Sequence, residues 1–312
     1  MGRTKRQHYV PQSYLKRFSF DGTRLHTFLI KQGNSTTLTS GELKNFWKEI
    51  SVSDVCVAKD YYTIDEQNAP NKNGTHAMAL EKDFFQDFAE PLLLDVIDTW
   101  ERLATRILTD KYPVASIRFS EEQRINLALC AFIQYHRCPR IRHHVESVDT
   151  VIKLHHELSR QEKGLPVDPN FKGLDVAFSH ADKTYLNPYL WRMFYTKLSS
   201  YCLLLRVSDN GNFFTSDNPV VIHKLGAKGY DVFNVNFYTD DFSLFFPLTP
   251  NVMLEYYCPK VFPEALSMND TISIVSEQYE EQVNKYQYIN AEKFVFSPKN
   301  DFSLFIKPNN DK

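Results

Sequence analysis

From Leu80, apolar residues return at every fourth position, at Phe84, Phe88, Leu92 and Val96, which predicts an amphipathic helix running to about Leu108. Ser120 followed by Gln123 makes a capping box for a second helix, and Ile125 to Ile133 is apolar apart from Asn126. So little polar surface places that helix inside the protein. Pro139 ends or kinks it, and Val145, Val148, Val151, Ile152, Leu154 and Leu158 then carry a third helix to about Gly164. Gly164 to Tyr185, with Pro166 and Pro169, reads as a polar loop, and Pro188 to Ser200 as a further helix.

On either side of this helical centre the texture is that of strands. Leu25, Phe28 and Ile30 follow the turn at Asp21-Gly22 and close at Gly33-Asn34; Ser51 to Thr63 is strand-like, and Asn68 to Gly74 is turn chemistry. Short strands are expected at Tyr201–Val207, Asn212–Thr215, Val232–Phe237, Phe242–Phe246 and Val252–Tyr257. A last amphipathic helix from Asp270 to Gln287 precedes a strand at Lys293–Phe296. The class is α+β: a central helical bundle (77–200) flanked by N-terminal strands (1–76) and a C-terminal antiparallel sheet (201–312). No Gly/Ser/Pro linker divides it, so a single domain is expected.

These patterns sit in 312 residues, 43% hydrophobic and 24% charged, enough apolar material for a sizeable core, which excludes a disordered or coiled-coil chain. Lys plus Arg number 36 against 38 Asp plus Glu, so nucleic-acid binding would need a local positive patch. The N-terminus offers one, since Arg3, Lys5, Arg6, Lys16 and Arg17 precede the first acid, Asp21. No apolar run reaches the roughly 18 to 20 residues of a membrane span, and Met1 to Leu15 has no signal-peptide core. A cytoplasmic protein without a membrane partner is expected, its oligomeric state left open. Five scattered cysteines without a CxxC pair fit reduced, buried thiols. No phosphate loop, GxSxG elbow or HExxH motif occurs.

Candidate chemistry lies where polar residues break the pattern. His8 and Gln12 sit among aromatics, a setting that either tunes an imidazole for acid–base work or pins the N-terminus to the core. Gln134 and Arg137 share the inward face at the end of the second helix. A buried guanidinium needs a carboxylate, for which Glu81, Asp83 and Glu90 are candidates, or an anion such as a phosphate. Asn218-Pro219 is turn chemistry, whereas Asp217, at a strand end, could serve as metal ligand, base or partner of a histidine. The pairs His143-His144 and His155-His156 stand about 16 Å apart on a helix, too far to share a metal ion. Arg137 and His143 match the Arg-to-His spacing of helical toxin ribonucleases, but Pro139 interrupts the segment.

Three segments taken together resemble the bacterial and phage family catalogued as domain of unknown function 4238. They are QHYVPQSYLKRF at 7–18, Gln134 to Arg140 ending Arg-Cys-Pro-Arg, and FFTSDNPV at 213–220 followed by FPLTP at 246–250. The resemblance spans most of the chain in the expected order. Cys138 stands where the family has Thr or Ser before the proline, a departure that bears on packing more than on chemistry. The resemblance implies no activity, but it implies that His8, Gln12, Arg137 and Asp217 are motif positions belonging to a shared polar site.

The function expected is that of a nuclease or toxin-like effector acting on a phosphate-bearing substrate, nucleic acid or nucleotide. His8 would act as acid or base and Arg137 would bind the phosphate. Gln12 and Gln134 would orient it, with Arg140 and Asn218 as further binding residues. Glu81 with Asp217 would hold the histidine or a divalent metal ion, the one cofactor considered. His8, Arg137 and Asp217 would then converge in one cleft, with Glu81 or Gln134 at its wall. The alternative is a non-catalytic ligand-binding, sensor or interaction module in which the same residues tie the chain together.

Overall fold

The structure is a computed structural model and describes residues 6–30, 46–65, 76–224 and 241–305. The turns expected at Gly33-Asn34 and Asn68 to Gly74, and the strand expected at Val232–Phe237, lie outside the described residues. A short helix α1 (Gln12–Leu15) starts after Pro11 and tightens into a 3-10 turn at Lys16–Phe18. The first long helix departs from its sequence pattern. Leu80–Ala89 winds as a π-helix and passes at Glu90 into α2 (Glu90–Asp110). Its i→i+5 pitch buries Leu80, Phe85 and Ala89 in place of the four-residue stripe, and Phe88 is 46% exposed.

The second helix, α3 (Glu121–Arg137), carries the capping box: Gln123 N–H donates to Ser120 Oγ at 3.1 Å and Ser120 N–H to Gln123 Oε1 at 2.9 Å. Pro139 opens α4 (Pro139–Glu162), whose Val148, Val151, Leu154 and Leu158 stay exposed rather than entering the core. The expected 164–185 loop contains a helix, α5 (Val176–Lys183), because Asp175 accepts from Phe178 N–H at 3.0 Å and caps it. Asn187 likewise caps α6 (Pro188–Ser199). The last helix, α7 (Glu277–Asn290), starts at the Ser276 cap, later than its pattern indicates. The β-branched run Thr271–Ile274 forms a strand instead.

Twelve strands are found among the described residues: β1 (Arg6–His8), β2 (Arg24–Leu29), β3 (Trp47–Ser51), β4 (Val57–Lys59), β5 (Val114–Ser116), β6 (Cys202–Val207), β7 (Thr215–Ser216), β8 (Val221–Lys224), β9 (Phe242–Thr249), β10 (Val252–Tyr257), β11 (Thr271–Ile274) and β12 (Phe294–Ser297). They form a β1-β4 pair, a six-stranded sheet in the order β5-β11-β6-β10-β9-β8 and a four-stranded sheet in the order β3-β2-β12-β7. The six-stranded sheet is mixed, because β11 runs parallel to β6. The N-terminal and C-terminal strands are interleaved, since β12 pairs with both β2 and β7.

Leu203, Leu205, Leu244, Phe246 and Leu254 on one face of the large sheet share a core with Leu93, Ile97, Trp100, Leu127 and Ala131 of the helices. The same cluster takes in Tyr14 and Phe18 from the N-terminus, so strands and helices bury one another. The other face carries a smaller cluster in which Phe245 and Met253 meet Val283 and Tyr286 of α7.

Candidate functional site

The site is built where β1 meets the end of α3. Pairing of His8 with Val57 fixes the backbone of β1. Gln7 points into the protein, where its Oε1 accepts from Tyr62 N–H at 2.6 Å. Gln12, a turn further on in α1, reaches back so that its Nε2 lies 3.2 Å from His8 Nδ1. An amide donor on Nδ1 leaves the proton of a neutral ring on Nε2. That Nε2 is enclosed and makes no hydrogen bond of ordinary geometry among the described residues, although the imidazole is within reach of the Ser53 backbone.

Arg137, the last residue of α3, is buried against this strand. Its Nε donates to the Tyr62 hydroxyl at 2.8 Å, and its Nη2 donates to the His8 carbonyl at 2.5 Å and to Glu90 Oε1 at 3.0 Å. Its Cζ lies 3.9 Å from the centre of the Phe85 ring, a cation–π contact in a dry setting. Nη1 has no hydrogen-bond partner among the described residues. Of the three carboxylates the sequence offers Arg137, Glu90 is the one that pairs with it, while Asp83 is exposed and lies 3.1 Å from His76. The π-helical pitch puts Glu81, Phe85 and Glu90 along one side. Among the described residues Glu81 makes no ion pair, and its buried Oε2 has no hydrogen-bond partner.

The electrostatics follow from this packing. Burial pushes the Glu81 carboxyl up to about 7, with Arg137 pulling it down and Glu90 adding to the rise. Burial also lowers His8 below the ordinary imidazole value; the Ser53 backbone and Glu90 oppose the shift, and Arg137 and Arg6 reinforce it. Burial disfavours charge on Arg137 as well, but Tyr62 and Glu90 more than restore it. Near neutral pH the arrangement is a neutral histidine and a titrating glutamic acid, each coupled to the same fixed cation.

Asp217 makes no hydrogen bond or ion pair with His8, Glu81 or Arg137 among the described residues, although its charge reaches Tyr9, Cys56 and Cys138 beside them. Its carboxylate accepts from the N–H groups of Glu292 at 2.9 Å, Lys293 at 2.7 Å and Phe294 at 3.3 Å, closing the turn between α7 and β12. Burial raises this carboxyl to about 7 against the pull of those backbone bonds. With its oxygens so occupied, Asp217 organises a turn.

The remaining candidates are also engaged within the chain. Asn218 Nδ2 donates to the Asn290 carbonyl at 3.1 Å, and Asn290 Nδ2 returns a bond to the Asn218 carbonyl at 2.6 Å. Arg140 donates to Asn290 Oδ1 at 2.7 Å and to its carbonyl at 2.6 Å. Gln134 Nε2 donates to the Tyr9 carbonyl at 3.2 Å. The eight candidates thus divide into a site group, His8, Gln12, Glu81 and Arg137, and a tying group, Gln134, Arg140, Asp217 and Asn218. Tyr62 and Phe85 complete the site group, and sequence reasoning passed over both. Their only signal was the aromatic doublets Tyr61-Tyr62 and Phe84-Phe85.

The basic N-terminal stretch is neutralised in part, at Arg6 and Arg17, while Lys16 is exposed and makes no ion pair among the described residues. Arg6 pairs with Asp54 at 2.8 Å, and Arg17 pairs with Asp98 and Glu101; Arg3 and Lys5 lie outside the described residues. No group of three or more His, Cys, Asp or Glu among the described residues could hold a metal ion. His143 lies 3.6 Å from Glu292 and His156 stacks on Phe171. All five cysteines are free and buried. No helix among the described residues is long and apolar enough to cross a membrane.

Fold and site together define a mixed α+β protein whose buried guanidinium joins β1, the π-helical segment and the end of α3. The profile of the family described as protein of unknown function (DUF4238) matches residues 6–301, and the chain belongs to that family. No curated protein and no solved structure matches it.

Proposed function

We propose that the protein is an enzyme acting on a phosphate-bearing substrate, a nucleic acid or nucleotide, in the manner of a nuclease or toxin-like effector. One observation carries the reading: His8 Nε2 and Glu81 Oε2, both buried and both without a hydrogen-bond partner among the described residues, feel the charge of one buried guanidinium, Arg137, whose Nη1 edge is unused. Each such orphan costs about 1–3 kcal/mol, a cost that a reacting ligand would recover.

In this reading a phosphoryl oxygen takes the Nη1 edge of Arg137. Glu81, protonated in part near neutrality, gives its proton to the leaving oxygen. Turning the Gln12 amide over lets its Oε1 accept from Nδ1–H, which frees the Nε2 lone pair of His8 to take a proton from the attacking hydroxyl or water. Five free, buried cysteines fit a reducing, cytoplasmic setting.

A second reading, a non-catalytic ligand-binding or interaction module, is favoured by the tying group. Gln134, Arg140, Asp217 and Asn218 are all engaged by bonds within the chain. Incubating the purified protein with DNA, tRNA and total RNA, with and without Mg²⁺ or Mn²⁺, separates the two. Cleavage by the wild type and none by a folded His8→Ala variant supports the enzyme. No cleavage of any substrate, or equal cleavage by the variant, rejects His8 as its acid or base.

A further inference from the structure

The face of the six-stranded sheet turned away from the helical core holds a cavity of about 300 Å³. Its floor is the sheet, one wall is α7 and the other is the 3-10 turn Pro263–Met268. It shares no lining residue with the His8 site. Phe245, Tyr257, Phe262, Tyr279 and Tyr286 give it an aromatic lining.

Two polar groups in this lining are incompletely used. Arg206 donates through Nε to Glu255 at 3.0 Å and through Nη1 to Ser273 Oγ at 2.6 Å, which leaves Nη2 against the Met268 sulfur at 3.7 Å. A thioether is a weak acceptor. Ser243 also lines the cavity, and its buried hydroxyl has no partner at all.

The charge balance selects among ligands. On the floor Glu255 is bound by both Arg206 and the Tyr279 hydroxyl, which leaves it no surplus charge for an ammonium group; the other carboxylate in the lining, Glu264, stands exposed on the 3-10 turn, where solvent screens it. The same pairing leaves Arg206 little net field for a phosphate. Aromatic walls, a neutral floor and unspent hydrogen-bonding capacity suit a flat, uncharged ring with carbonyl oxygens. The volume lies at the small end of the range for ligand pockets.

We propose that this cavity is a binding site for a planar, uncharged heteroaromatic ligand bearing carbonyl oxygens, of the size of a nucleoside. The ring stacks among the tyrosines, one carbonyl oxygen replaces the Met268 sulfur at Arg206 Nη2, and Ser243 supplies a second hydrogen bond. The site stands whether or not the His8 group is catalytic.

Isothermal titration of the full-length protein with uridine, guanosine and adenosine, and with choline as the cationic rival, tests the proposal. Two variants accompany the wild type. Ser243→Ala removes a hydroxyl that makes no hydrogen bond, so it keeps or raises the melting temperature while weakening nucleoside binding by about fivefold. Ala265→Phe fills the cavity and abolishes binding. Binding of at least one oxo-bearing nucleoside, lowered by Ser243→Ala in a protein of unchanged fold, supports the site. Binding of choline alone, no nucleoside binding at millimolar concentration, or affinity unchanged by Ser243→Ala overturns it.

Discussion

Replacing Glu81 with Gln makes the protein more stable at high pH and leaves its stability unchanged at low pH. Gln is the closest neutral stand-in for the protonated acid, and burial already favours that acid in the folded state. The folded carboxyl titrates near 7, against 4.5 when the chain is unfolded. Between those values the native state holds a proton that the unfolded state has lost, so wild-type stability falls as pH rises through this window. The full shift is worth about 3 kcal/mol, and about 2 kcal/mol once water reaching a half-buried side chain is allowed for. Glu81→Gln has no proton to lose and keeps that stability. Urea unfolding followed by circular dichroism at pH 4.5 and pH 8 measures it: equal midpoints at the lower pH and a higher midpoint for the variant at pH 8. A variant less stable than wild type at pH 8, or an equal offset at both pH values, refutes the reasoning. If the proposed chemistry holds, the same stabilised protein loses cleavage activity, because the neutral amide has no proton to transfer.

The π-helical winding gives two phenylalanines three positions apart opposite fates. Phe85→Ala costs about 3–5 kcal/mol and weakens the packing under Arg137, whereas Phe88→Ala changes the unfolding midpoint little; reversed effects would restore the four-residue stripe. Asp217→Ala strips the acceptor from three backbone N–H groups and costs about 3 kcal/mol or more by urea unfolding, and Asp217→Asn, which keeps one acceptor oxygen, recovers part of the loss. An Asp217→Ala protein with wild-type stability but no activity would return Asp217 to the reacting site.

The legible parts of the sequence were those set by local chemistry. Ser120 and Gln123 announce their helix because a capping box needs only residues three apart, and β10 is marked by its own β-branched and aromatic run. The π-helix was not legible, since its pitch is decided by which of Phe84 and Phe85 finds Tyr62 and Arg137, residues far away in sequence. The helix at Val176–Lys183 was hidden by a short, weakly patterned segment whose main signal is its Asp175 cap. Asp217 shows the same limit at the site. It does break its local pattern, as a functional residue would, but the demand it answers comes from the unpaired N–H groups of Glu292, Lys293 and Phe294. A sequence reveals that a buried carboxylate must be satisfied and does not reveal by what.

That limit explains how one motif can carry both structure and the proposed chemistry. The segment from Gln7 to Tyr14 is held by every part of the fold: Gln7 by Tyr62, Tyr9 by Gln134 and by Cys56, and Tyr14 by Thr215 and the Pro247 carbonyl. His8 projects from this segment, and its own carbonyl is a ligand of Arg137. A shift in any of those ties would therefore move the imidazole relative to the guanidinium. Precise placement of a reacting group requires just such support from groups that do not react. The bonds made by Gln134, Asp217 and Asn218 are thus compatible with an active site at His8; the buried Asn218 Oδ1 also lacks a partner, so what sets His8 Nε2 and Glu81 Oε2 apart is that both unsatisfied groups feel the charge of the same buried guanidinium, Arg137.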